Sequence, residues 1–180
     1  RCEYRTRFRP MSSDATFEEG RELPLNLGAM DAEDLKVISA LAQDAVIPVT
    51  EMSWRRKERR FALLLNRFRW EDRERASLRS RPVERVQSVL SIENALKVSA
   101  QGIDRTDKDI ILSLLNISYQ PGEDEGGSVL LTLAGDGAIE IQVETLEANC
   151  RDFGIGIYLD VLLLRGSGLV PKSSTVCIQF

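Results

Sequence analysis

Asp104, Asp107 and Asp109 are three carboxylates within six residues of one polar loop, GIDRTDKD. Hard divalent cations take oxygen ligands, so magnesium is the metal such a cluster would suit. A calcium loop needs D-x-[DN]-x-[DN]-G spacing and a closing glutamate, and this loop has neither. The structural alternative is that Asp107 or Asp109 caps the turn that follows. Glu123, Asp124 and Glu125 are a second acidic group. Paired carboxylates run acid–base chemistry only in a cleft that separates their pKa values, and the sequence reads more simply as a solvated hairpin tip. The chain contains no histidine, which removes the commonest general base and metal ligand. No Ser-His-Asp triad or Cys-His dyad can therefore form.

The cysteines are Cys2, Cys150 and Cys177. Their number is odd and no CxxC spacing occurs, so they read as reduced thiols of a cytoplasmic protein, not a disulfide frame or a metal centre. Gly135-Asp136-Gly137 joins two alternating apolar runs. It is a hairpin turn, not a phosphate cradle, because an anion loop must open a helix. No cofactor is expected.

The stretch Trp54–Trp70 carries the most suggestive pattern. Arg55, Arg56, Lys57, Arg59, Arg60, Arg67 and Arg69 interleave with Trp54, Phe61, Phe68 and Trp70. Arginines contact phosphates and aromatics stack on bases. However, apolar residues occupy both parities here, which points to core positions. Between Trp54 and Arg85 lie 12 basic and 5 acidic residues, a net of +7. The rest of the chain has 12 basic and 23 acidic residues, a net of −11. Such separation favours an acidic partner or self-association through opposite faces.

Periodicity gives the secondary structure around these residues. Residues 1–26 show none and read as a flexible arm; Met11 is a natural start, which places residues 1–10 upstream. Asp31 is a good N-cap, and Leu35, Ile38, Leu41 and Ala42 recur at helical spacing, giving a helix over 32–43. Val46-Ile47-Pro48-Val49 predicts an edge strand running to Trp54, because proline donates no ladder bond. Arg60–Trp70 reads as a central strand, and residues 71–81 as a charged loop with local helix at most. Residues 83–100 read as one long strand with a bend or bulge, Val86, Leu90, Ile92, Leu96 and Val98 sharing its buried face. A strand follows at 110–119, whose first part reads equally as a helical turn, then strands at 129–133 and 139–144, and 145–152 is either a continuation or a helix. No stretch approaches the roughly 20 apolar residues of a membrane span.

Several segments together resemble the bacterial domain of unknown function 2948. They are DAEDLKVISALAQDAV (Asp31 to Val46), KERRFALLLNRFRWE (Lys57 to Glu71), RVQSVL (Arg85 to Leu90) with QGIDR (Gln101 to Arg105), and LAGDGAIEIQVETLEANCRDFG (Leu133 to Gly154). The resemblance implies one small cytoplasmic domain over about residues 27–154 and no catalytic residue to carry over. The apolar stretch 155–180 departs from it and reads as an atypical tail.

The expected fold is α+β, mainly antiparallel sheet with a short N-terminal helix, curled as a pleckstrin-like half-barrel. The expected function is a non-enzymatic binding or adaptor domain, whose partner surface holds Arg55, Arg56, Arg73 and Arg75 and whose partner is a protein or a second copy. The alternatives are a small-molecule site or enzyme around Asp104, Arg105 and Asp107 beside Trp54 or Trp70, and nucleic-acid binding through residues 54–70.

Overall fold

The computed structural model describes residues 24–152, apart from 79, 81, 105, 106 and 123–125. Of Arg75 only the backbone is described. Residues 1–23 of the arm expected over 1–26, the 155–180 tail, Cys2, Cys177, Arg105 and the Glu123–Glu125 tip lie outside the described residues, whereas Leu25 and Asn26 bond into the sheet.

The chain begins with strand β1 (Asn26–Ala29) and helix α1 (Ala32–Ala42). Asp31 starts the helix as its sequence suggests. Its Oδ1 accepts the Glu33 and Asp34 N–H groups at 2.9 and 2.8 Å, satisfying two of the donors a first turn leaves open. Leu35, Ile38, Ser39 and Ala42 form the buried face.

β2 (Val46–Pro48) and β3 (Met52–Arg55) follow, separated by a 3-10 turn at Val49–Glu51. The sequence suggests one edge strand here, but β2 lies between β4 (Arg60–Phe68) and β7 (Ile111–Pro121). Pro48 is tolerated because β2 pairs with β4 at Val46 alone. After β4, a 3-10 turn (Trp70–Asp72) and α2 (Arg73–Leu78) occupy the expected charged loop.

The predicted long strand is two strands, β5 (Arg85–Ile92) and β6 (Ala95–Gln101). Asn94 breaks it with a positive φ of 57°, a conformation asparagine tolerates better than most residues. The change of direction, with a bulge between Ala95 and Lys97, puts Leu96 half in solvent instead of in the core. β8 (Gly127–Leu133) and β9 (Ala138–Val143) form the hairpin read from the sequence. Gly135 and Asp136 both take positive φ there. Residues 148–152 form β10, a strand and not a helix.

All pairings are antiparallel, in the order β1-β10-β5-β4-β2-β7-β8-β9-β6, with β3 also on β4. The mainly antiparallel sheet with a short N-terminal helix is therefore as expected, but the curled half-barrel is not. The order is an open path whose outermost strands, β1 and β6, do not pair with each other. Edges are kept short or irregular instead: β1 has four residues, and β6 carries its bulge and an exposed Lys97. Both devices discourage edge-to-edge pairing.

One apolar cluster joins both halves of the sheet. It includes Leu63, Leu90 and Ile92 from the first half and Val98, Ile117, Leu131 and Ile141 from the second, with Leu35 and Ile38 of α1. Each such side chain contributes on the order of 1.5–3 kcal/mol by leaving water. Ser39 is the polar link between helix and sheet. Its hydroxyl donates to Asn116 Oδ1 at 2.9 Å and accepts the Ile117 N–H at 2.8 Å. That contact sits just after the β7 bulge between Leu114 and Asn116. No described helix is long and apolar enough to cross a membrane.

Ser39→Ala leaves the buried Ile117 N–H without its acceptor. Urea denaturation should show a loss of about 1–3 kcal/mol, with the denaturant slope unchanged.

Candidate functional site

Alternation along three neighbouring strands dictates an unusual end to the core. On β4 the inward residues are Phe61, Leu63, Leu65 and then Arg67; on β5 they are Ile92, Leu90 and then Ser88; on β10 they are Ala148, Cys150 and then Asp152. Leu65 and Asp152 both pair with Ser88. Apolar rows thus give way to a polar row in which Arg67 and Ser88 have no exposed surface and Asp152 only 1%.

The hydrogen bonding there is complete. Arg67 Nε donates to Ser88 Oγ at 3.1 Å and Asp152 Oδ1 at 3.0 Å. Nη2 reaches both Asp152 oxygens at 2.9 Å and Glu71 Oε1 at 2.7 Å. Nη1 donates to Glu71 Oε2 and the Phe68 carbonyl. Asp152 also accepts the Ser88 hydroxyl at 2.6 Å and the Leu25 N–H at 2.9 Å, and its own N–H returns to the Leu25 carbonyl. Burial alone would lower the pKa of Arg67. The bond to Glu71 and the charges of Asp152 and Glu71 more than offset this and hold it raised. Burial likewise pushes Glu71 upward, but the Arg67 hydrogen bond wins and leaves its pKa below the ordinary carboxylate range.

This row cannot serve as acid, base or anion receptor, because every donor of Arg67 and the lone pairs of Asp152 are already engaged. Cys150 beside it is a free, buried thiol pushed up to about 12, chiefly by burial. A thiol so rarely ionised is a poor nucleophile. The row's role is to hold the start of β1, the end of β10 and the turn after β4 to the sheet.

The surface candidates lie elsewhere. Arg55 closes β3 and pairs with Glu58 at 3.0 Å, while Arg56 is exposed and lies 5.0 Å from the Trp54 ring centroid. Arg73 is exposed at the start of α2, and Arg75 follows in that helix. The two pairs flank opposite ends of β4. Nine residues at a strand rise of ~3.3 Å set them roughly 26 Å apart along it, so they form two contacts and not one patch.

The Arg/aromatic stretch is largely committed to the fold. Phe61 is core, Trp54 packs against it, and Trp70 donates to the Gln43 carbonyl. Phe68 stacks with Trp70 at 5.1 Å and is covered by Arg85 at 3.8 Å. Arg59 is paired with Glu144, Arg60 with Glu93, and Arg67 with Glu71 and Asp152. In the polar loop, Asp107 accepts the Asp109 N–H at 2.9 Å, the capping role. Among the described residues no group of three or more His, Cys, Asp or Glu side chains is placed to hold a metal ion. A shallow, open groove of about 290 Å³ lies between α1 and β7, lined by Lys36, Ser39, Ala40, Gln43, Leu115 and Asn116. It contains none of Asp104, Asp107, Trp54 or Trp70.

Sequence reasoning misses the buried row. Its signal is present: Arg67, Ser88 and Asp152 each continue the parity of an apolar run on its own strand. Only the pairing of β4, β5 and β10 shows that the three coincide.

The profile of a family described as "Protein of unknown function (DUF2948)" matches residues 25–157. The chain belongs to this family. Its match begins at Leu25 and ends just past Asp152, so the family domain coincides with the segment whose two ends the buried row fastens together. No curated protein and no solved structure matches.

Arg67→Ala strands Asp152 as an unpaired buried charge and should cost about 3–5 kcal/mol in chemical denaturation. The lowered pKa of Glu71 means its ionised form favours the fold at neutral pH. That contribution is lost as pH falls from the ordinary carboxylate range through the lowered value. Denaturation midpoints of Glu71→Gln should therefore decline less steeply between pH 5 and pH 2 than those of the wild type.

Proposed function

We propose that this domain is a non-enzymatic binding module that docks a protein partner through its arginine-rich side. The observation that carries this reading is the contrast between buried and exposed charge. Arg67, Ser88 and Asp152 are buried and mutually saturated, while Arg56 and Arg73 stand exposed with no carboxylate partner among the described residues. Free guanidinium groups at a surface are suited to carboxylate recognition, which they make bidentately. The +7 balance of residues 54–85 within an acidic chain supports the same side as the docking side.

Arg55→Glu, Arg56→Glu, Arg73→Glu and Arg75→Glu together should abolish co-purification of a stoichiometric protein partner from native lysate while leaving the thermal melt in place. Undiminished capture by this variant would remove the two arginine pairs from the interface.

A further inference from the structure

Between the two arginine pairs lies the outward face of β1, β10, β5, β4 and β3. The registers place Ser53 and Arg55 of β3 beside Ala62 and Arg60 of β4, and Leu64 of β4 beside Val89 of β5. Val89 in turn faces Arg151 of β10, and Phe68 faces Arg85. Across these strands the outward positions hold four arginines, Arg55, Arg60, Arg85 and Arg151, and no carboxylate. Arg55 and Arg60 are neutralised by Glu58 and Glu93 of adjoining turns. Among the described residues Arg85 and Arg151 have no carboxylate partner: Arg85 donates to the Asn66 carbonyl and covers the Phe68 ring, and Arg151 is exposed. Leu64 and Val89, paired across β4 and β5 beside Arg151, form a short half-buried apolar strip, and the outward Asn66–Gln87 pair separates it from Phe68 and Arg85, while α1 buries its apolar residues in the core on the other side.

We infer that this face binds an extended acidic protein segment carrying aliphatic side chains, laid along the Leu64–Val89 strip with its carboxylates against Arg85 and Arg151. The inference rests on the protein-docking reading above and names the chemistry of the partner. Charge complementarity selects an anionic occupant. The nature of the strip selects protein over nucleic acid. Base stacking needs an open aromatic face, and here the Phe68 ring is covered by Arg85 while Trp54 packs toward the core. Leu64 and Val89 offer aliphatic contact instead.

The test is fluorescence anisotropy of the full chain with three labelled probes: a twelve-residue peptide of alternating Glu and Leu, a Glu/Ser peptide of equal charge, and an oligo-dT strand. The Glu/Leu peptide should bind tightest, weaken as salt is raised, and lose at least tenfold in affinity when Gln87→Glu and Arg151→Glu are combined. Both positions are exposed, so the melt should not move. Lys97→Glu on β6 should leave binding unchanged. Equal binding of the two peptides, tighter oligo-dT binding, no binding of the Glu/Leu peptide, or indifference to the double variant would each overturn the inference. If the peptide fails while lysate capture persists and is lost in the four-arginine variant, the docking reading stands and only this face is wrong. If both fail, the docking reading falls too.

Discussion

A guanidinium without exposed surface must find all its hydrogen bonds inside the protein, because an unpaired buried charge costs several kcal/mol. Arg67 meets that requirement with groups from five places in the chain: Asp152 at the end of β10, Ser88 on β5, Glu71 in the turn after β4, the Phe68 carbonyl, and, through Asp152, the backbone of Leu25. The geometry of the first half of the sheet follows from that constraint. β10 can lie between β1 and β5 only in the register that puts Asp152 opposite Ser88. Slipping by one residue would turn Asp152 outward and bring an arginine, Arg151, into the core.

The polar row also sets a boundary. On the core side of it, apolar side chains from both halves of the sheet and from α1 make one continuous cluster. Beyond it the chain leaves for the turn at Trp70–Asp72 and the short helix α2. The arginine-rich segment is thereby divided. Arg67 is drawn inside, where its charge fastens the fold, while Arg56, Arg73, Arg85 and Arg151 remain exposed. Strand alternation parts Arg67 from Arg85 and Arg151, while Arg56 and Arg73 stand outside because they lie in the turn after β3 and at the start of α2.

Much of the fold was legible from local chemistry. The Asp31 cap, the 3.6-residue repeat of α1 and the Gly135-Asp136 hairpin each express a preference a few residues long, and each is present. What was not legible depended on partners distant in sequence. Pro48 suggested an edge, yet the pairing of β2 leaves that nitrogen without a required bond and lets the strand sit inside the sheet. Residues 83–100 alternate well enough to suggest one strand, because each half obeys its own parity and only Asn94 marks the break. The expected curled half-barrel failed on strand order, which periodicity does not encode. Of the surface candidates, the sequence showed that arginines cluster between 54 and 85 but not that β4 holds two pairs apart.

Arg67 and Asp152 act as one unit that locks the ends of the domain to the sheet. The most direct test is a double-mutant cycle on stability with Arg67→Met and Asp152→Leu. Each single variant should be strongly destabilised and the double variant should recover much of the loss, a coupling of about 2 kcal/mol or more, because the pair leaves no stranded charge. Additive losses, with coupling below about 0.5 kcal/mol, would show that the two residues act independently and would contradict their action as one unit.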